Sequence, residues 1–371
     1  MAASKKKKSE LGQFYTSRWA AVLPGLQVPK QHVVIEPFVG SGDLLNACPK
    51  DVSLELYDIA PPTESINGTK VVARDTILSP PDYTGKFVLT NPPYIARNKS
   101  SDKRRFDRYK QNDLYKCFME ELMNTNQSPV GGILILPLNF FSSVRKSDVA
   151  LRVRFLRKYA IMRLNIFDGQ MFNDTTSAVC SFQFKMHPTL PYVCDTVPIK
   201  AWIYNSDCTS EVAKSWELNL KGMAMPGGHI HRLTGPTVRV VRLTRINDTD
   251  ENEACKCDIV LHAVDGSSRA ASAASCIRLE YIGSSGKRVV DKTQKCSGRS
   301  SASFILRPSL GPSEQKQLCK HFNEYIEQKR ETYHSLFLPA FREYTRKRIP
   351  FTLAFNIISY MSENIHSKKK S

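Results

Sequence analysis

The chain has 371 residues, 41% hydrophobic and 24% charged, which is long for one small core and apolar enough to fold, so two domains are expected. Lysine and arginine number 53 against 35 acids, a net charge of +18, and that balance points to a polyanionic partner, nucleic acid above all. No apolar run approaches a membrane span, the longest being Ile133–Leu138, and ten scattered cysteines without a secretory leader read as free thiols in a reducing intracellular setting.

Residues 1–10, with the Lys5–Lys8 run, read as a basic disordered tail, and Lys368–Lys370 nearly closes the chain in the same way. Val33–Leu45 then reads as strand, glycine turn and helix, with Gly40 and Gly42 letting the backbone approach a ligand. Ser53–Asp58 reads as a second strand ending in an acid. Asp58 lies 18 residues after Gly40, about the spacing at which an acid meets ribose hydroxyls in a nucleotide-binding unit. Lys70–Asp75 is a third such run. Three successive strands thus deliver Glu36, Asp58 and Asp75 to one sheet edge.

A fourth strand, Lys86–Thr90, delivers Asn91-Pro92-Pro93-Tyr94. Two prolines stop the strand and fix the backbone beyond it. An amide, prolyl carbonyls and an aromatic ring then sit at a strand's carboxyl end, where open α/β sheets bind ligands. Rigid acceptors beside a ring suit an exocyclic amino group on a planar base. Further strand signals around Ile133, Ile161 and Val179 bring the count to seven and imply a mainly parallel, doubly wound sheet. Between them lies a basic loop with Arg97, Lys99, Lys103, Arg104, Arg105 and Arg108, interleaved with Phe106 and Tyr109, read as a DNA contact. Arg145–Lys158 has helical spacing and reads as a solvated helix face.

These motifs resemble the S-adenosylmethionine-dependent N6-adenine DNA methyltransferases of restriction–modification systems and large DNA viruses. The resemblance covers residues 11–187: Leu11–Thr16, Glu36–Gly42, Asp58, Asp75, Asn91–Tyr94 (the NPPY motif), Asp113–Phe118, Gly131–Pro137 and Phe172–Cys180. It implies a Rossmann-like, seven-stranded α/β methyltransferase sheet and S-adenosyl-L-methionine as cofactor, with no metal. Thr16 would hold the methionine carboxylate, Glu36 and the Gly40–Gly42 turn would line the amino-acid moiety, Asp58 would accept the ribose hydroxyls and Asp75 the adenine amino group. Asn91 and Pro92, with Pro93 and Tyr94, would form the catalytic motif. Tyr94 would stack on a flipped adenine and Phe172 would pack against it. Arg97, Lys99, Lys103, Arg104 and Arg105 would bind DNA. The family often has an aromatic after the third-strand acid; here Thr76 stands there, so another residue must stack on the cofactor adenine.

The expected partners are double-stranded DNA with a short recognition sequence and, on a separate chain, a cognate restriction endonuclease; no membrane is expected. The setting is intracellular: cytoplasm, or the nucleus of an infected host for a viral enzyme. RNA adenine-N6 methylation, protein glutamine N-methylation and a catalytically silent DNA-binding protein stay open as alternatives.

Near Met186–Pro188 the composition shifts. Residues 188–330 are rich in Gly, Ser, Thr and short β-prone runs such as Thr237–Leu243 and read as a β-rich C-terminal target-recognition domain. Arg269, Lys287 and Arg288 are its candidate phosphate or base contacts. Cys255-Lys256-Cys257 lacks a second pair with zinc spacing. Residues 331–371 read as a helical segment with a basic tail, Ser335–Ile365 packing back on the catalytic domain, and Arg346–Arg348 there offers a phosphate contact.

Overall fold

Three short runs, Val34–Glu36, Phe87–Thr90 and Gly131–Pro137, are buried at every position, the pattern of parallel strands covered on both faces. In the computed structural model they are central strands of one sheet. The structure describes residues 16, 18–124, 126–172, 177–190, 192–205, 207–243, 258–265, 276–283, 297–339 and 347–367. Both lysine-rich tails, Leu11–Tyr15, Asn173–Thr176, Cys255–Cys257, Arg269, Lys287, Arg288 and Arg346 lie outside them.

All seven expected strands form: β1 (Val34–Glu36), β2 (Leu54–Asp58), β3 (Val71–Ala73), β4 (Phe87–Thr90), β5 (Gly131–Pro137), β6 (Tyr159–Phe167) and β7 (Val179–Met186). Their order is β3-β2-β1-β4-β5-β7-β6. β1 to β5 pair in parallel, and β7 runs antiparallel to β5 and β6. This is the Rossmann-like, doubly wound order expected from the sequence, with β7 as the antiparallel strand. Gly132 admits the close approach of β5 to its neighbours, because a Cβ there would meet the Val88 carbonyl at 2.5 Å and the Phe184 ring at 2.8 Å.

Two more strands extend the sheet to nine. β8 (Thr196–Tyr204) pairs in parallel with β6, and β9 (Glu211–Asn219) pairs antiparallel with β8. Most of β8 alternates exposed and buried positions, as expected of a strand with one face packed and one in solvent. The chain divides into two compact units, Met1–Ala224 and Met225–Ser371. The compositional change at 187/188 therefore precedes a hairpin that belongs to the first unit. Three helices in that unit matter below: α1 (Arg104–Tyr109), α2 (Leu114–Leu122) and α3 (Lys146–Lys158).

Helix α3 is not wholly the solvated face its charges suggest. Arg152 is fully buried. Its guanidinium donates to the carbonyls of Ala224 (2.8 Å), Phe140 (2.6 Å), Ser143 (3.0 Å) and Met223. Beside it, Lys116 of α2 pairs with buried Asp148 at 2.8 Å, and the Ser143 hydroxyl donates to the same carboxylate at 2.6 Å.

The second unit holds β10 (Arg239–Leu243), β11 (Ile259–His262), β12 (Arg278–Tyr281) and β13 (Ser301–Arg307) in an antiparallel sheet of order β10-β13-β11-β12. Helix α4 (Pro312–Tyr333) starts with Pro312 at its first turn and the Glu314 carboxylate accepting from the Gly311 amide at 2.8 Å. Helix α5 (Phe351–Ser367) follows. Leu261, Leu279 and Phe304 from the sheet share a core with Leu318 and Phe322 of α4 and Ile357 and Ile358 of α5. The C-terminal helix thus buries its apolar face in the second unit's own core, where the sequence reading packs it on the catalytic domain. No described helix is long and apolar enough to cross a membrane.

Candidate active site

The parallel strands place their carboxyl ends at one edge, and the chain order reverses between β1 and β4, which opens a crevice there. A pocket open to solvent occupies it. Six residues that the sequence reading assigns to the cofactor or the catalytic motif line it together: Thr16, Gly40, Asp58, Asp75, Asn91 and Pro93. Glu36, Gly42, Pro92, Tyr94 and Phe172 are not part of the lining.

The glycine turn follows β1 directly. Gly40 and Gly42 have φ of +57° and +79°, values that favour glycine. A Cβ on Gly42 would also meet Ile66 at 2.7 Å. The expected helix after the turn is a single five-residue 3₁₀ segment, Asp43–Ala47. Asp58, 2% exposed, holds the turn from the next strand. Its Oδ2 accepts from the Gly40 amide and its Oδ1 from the Ala60 amide, both at 2.8 Å. One carboxylate therefore both shapes the glycine turn and lines the cavity.

Glu36 is 1% exposed. Its Oε1 accepts from the Phe38 amide at 3.1 Å and from the Thr90 hydroxyl, and its Oε2 is buried without a protein partner. Burial pushes its pKa up to about 8, against the opposing hydrogen bonds from Thr90 and Phe38. Burial thus favours the protonated carboxyl. A raised folded pKa stabilises below the unfolded value of 4.5 and is lost as pH rises through about 8. Glu121 (raised to about 8) and Asp113 (to about 7), both raised chiefly by burial, act in the same direction. Glu36→Gln keeps the shape and removes the titration. Unfolding free energies from denaturant titrations at pH 5 to 8 should fall less steeply in Glu36→Gln than in the parent, by up to about 1.4 kcal/mol per pH unit; parallel profiles would refute the assignment.

Asn91 leaves β4 with its Nδ2 donating to the Thr16 hydroxyl at 3.2 Å. The Tyr94 hydroxyl is within reach of two acceptors, Asn91 Oδ1 and the Ile135 carbonyl at 2.6 Å. It has one proton, so it donates to one of them at a time. The Tyr94 ring is partly buried, edge-on to Tyr115 with centroids 6.2 Å apart, and packs against the cluster that contains Phe172, Phe167 and Tyr204. Tyr94 and Phe172 thus belong to one apolar cluster, against which Leu54 of β2 also packs.

The basic segment is tied down more than its composition suggests. Arg97 pairs with Asp107 at 2.7 Å and Arg104 with Asp102 at 2.8 Å, both exposed. The Lys103 ammonium donates to the Arg97 and Ser100 carbonyls of its own loop. Lys99 is exposed. Arg105, expected at a nucleic-acid surface, instead lines the cavity and pairs with Asp75 at 2.7 Å.

Sequence reasoning missed Arg105 in this role, and missed Ile59, Ile77 and Ile95 in the cavity wall. Ile59 had a local signal: an apolar residue directly after the β2 acid, 43% exposed in the folded chain. Thr76 is buried, its hydroxyl donating to the Pro37 carbonyl at 3.2 Å, and the apolar wall is built by Phe38, Val39, Leu44, Ile59, Ile77, Ile95 and Leu114. Among the described residues, no group of three or more His, Cys, Asp or Glu is arranged to hold a metal ion.

No curated protein matches the chain. Among solved structures, it is similar to a modification subunit of a putative type I restriction enzyme from Vibrio vulnificus YJ016, at 12% identity and TM-score 0.41, over 59% of this chain and 58% of that one. It is also similar to the type I restriction-modification system methyltransferase subunit from Streptococcus thermophilus, at 18% identity and TM-score 0.37, over 52% of this chain and 47% of that one. The chain thus spans about half the length of these structures. Residues 77–172, the stretch that carries Asn91–Tyr94, match the Eco57I restriction-modification methylase family.

Proposed function

We propose that the protein is a DNA methyltransferase that uses S-adenosylmethionine and modifies N6 of an adenine flipped from a short duplex recognition sequence. The observation that carries this reading is the convergence of Asn91 with Gly40, Asp58, Asp75 and Thr16 on one cavity. The cavity fits the cofactor: carboxylates for a ribose and an adenine amino group, and isoleucines with Phe38 for a ring face. When bound, S-adenosylmethionine supplies an electrophilic methyl group.

Thr16 binds the carboxylate end, Asp58 the ribose and Asp75 the adenine amino group; Ile59 and Ile77 exclude water from the ring. An adenine amino group in duplex DNA is paired and stacked, so the base must leave the helix to be reached. Tyr94 and Phe172 then receive its faces. Asn91 Oδ1 and the Pro92 carbonyl accept from its N6 and hold the nitrogen toward the cavity. The Tyr94 hydroxyl frees Asn91 Oδ1 for this by donating to the Ile135 carbonyl. The acceleration comes from orientation and preplaced acceptors. Arg97, Lys99 and Arg104 meet DNA phosphates, the second unit reads sequence, and a cognate endonuclease on another chain completes a restriction–modification pair.

The test is transfer of labelled methyl from S-adenosylmethionine to unmethylated duplex DNA, with structured RNA and total protein as parallel acceptors. N6-methyladenine in DNA is the expected product. Label in RNA or protein would overturn the substrate, and no saturable cofactor binding would overturn the reading as a whole.

A further inference from the structure

Helix α1 is the middle of the basic segment, yet three of its side chains reach back to the turn after β3. Arg105 Nε and Nη2 lie 2.9 and 2.7 Å from Asp75 Oδ2. Arg108 Nη1 donates to the Leu78 carbonyl at 2.6 Å, and the Tyr109 hydroxyl to the Ile77 carbonyl at 3.1 Å. Phe106 is buried in a cluster with Ile77, Ile95 and Leu114. The two feet of the segment are joined as well: the Arg97 amide donates to the Asn112 carbonyl at 2.9 Å and the Leu114 amide to the Ile95 carbonyl at 3.1 Å. Residues 97–110 therefore form a closed excursion strapped across the Asp75–Leu78 turn.

Within this strap Arg105 alone both lines the cavity and grips a cavity carboxylate. Its side chain is 15% exposed and that of Asp75 22%, so the pair is shielded from solvent more than a surface pair. Asp75 Oδ1 accepts from the Leu78 amide at 3.1 Å. A carboxylate has about four acceptor positions; Arg105 takes two on Oδ2 and Leu78 one on Oδ1, which leaves one for a ligand's amino group. Arg105 Nη1, on the other edge of the guanidinium, lies 3.8 Å from Asp102 Oδ2, so one guanidinium bridges the cavity carboxylate and the basic segment.

We infer that Arg105 is a positioning residue that couples the two ligands: by fixing Asp75 for the cofactor's adenine and anchoring the basic segment with the same guanidinium, it makes cofactor and DNA bind cooperatively. The inference rests on the proposed function. Coupling of this kind is reciprocal, so each ligand tightens the other by the same factor.

The experiment measures S-adenosylhomocysteine affinity by calorimetry, and duplex affinity with and without S-adenosylhomocysteine, for the parent chain, Arg105→Met, Arg105→Lys and Lys99→Ala. In the parent, the cofactor product tightens duplex binding. Arg105→Met weakens S-adenosylhomocysteine about tenfold and abolishes the tightening. Arg105→Lys, which keeps the charge but not the fork, recovers part of both and decides the question if the methionine variant does not fold. Lys99→Ala weakens the duplex equally in both states. Tightening of parental size in Arg105→Met or no tightening in the parent overturns the coupling while leaving the methyltransferase reading intact; a parent that binds no S-adenosylhomocysteine overturns the methyltransferase reading instead.

Discussion

Replacing Asn91 with alanine is expected to reduce methyl transfer by about 10²–10³-fold or more, the size of effect seen when a preplaced polar group is removed from a reacting centre, with cofactor affinity nearly unchanged. The reason is positional. Asn91 sits at the carboxyl end of β4, held between the Thr16 hydroxyl and the Tyr94 hydroxyl, and Pro92 and Pro93 fix the chain that follows. Truncation removes the acceptor for the target amino group. It leaves Gly40, Asp58 and Asp75, whose contacts do not pass through Asn91, and costs the cofactor side only the hydrogen bond to the Thr16 hydroxyl. Asn91→Asp keeps an acceptor oxygen, loses the donor to Thr16, and should retain intermediate activity. Single-turnover transfer beside calorimetric cofactor titration separates the two functions. Equal loss of both would assign Asn91 to the fold and remove it from catalysis.

Arg152→Met should destabilise the first unit by about 3–5 kcal/mol, as expected when a buried charged hydrogen-bonding group is removed and its partners are left unpaired. Burial lowers the guanidinium pKa only to about 10, so it is charged at neutral pH. No carboxylate is hydrogen-bonded to it; its charge is met by four backbone carbonyls. Two belong to Met223 and Ala224, and Ala224 has φ of +49°, an uncommon conformation for alanine. Methionine fills the space and makes none of these bonds. Urea unfolding followed by the fluorescence of Trp202 and Trp216, both in the nine-stranded sheet, measures the loss. A change below about 1 kcal/mol, the worth of one ordinary hydrogen bond, would mean that water replaces the guanidinium.

The seven strands were legible because each is a short apolar run closed by turn residues, a local pattern. Glu36, Asp58, Asp75 and Asn91 were legible for the same reason: each stands at the end of its run. Arg105 was not, because its partner is 30 residues away and it lies in a segment rich in arginine and lysine, so composition assigned it to the surface. Arg152 was hidden likewise inside a charged helix, since nothing local shows that four carbonyls converge on it. The β8–β9 hairpin shows alternation, which reveals a strand but not the sheet it joins. Nor could spacing show that Asp58 is shared between the glycine turn and the cavity.

The strand order has a consequence for how such a protein can change. Asn91 stands at the point of reversal, with β1 to β3 on one side and β5 to β9 on the other. On the proposed reading, the donor half is drawn from Thr16 and residues 36–77, and the acceptor half from Asn91, Tyr94, Phe172 and the second unit, all of which follow along the chain. A gene segment exchanged between related chains could therefore replace the acceptor half and leave the donor half intact. A cofactor with a bulkier transferable group could be accommodated by trimming Ile59 or Ile77 alone, with target choice retained.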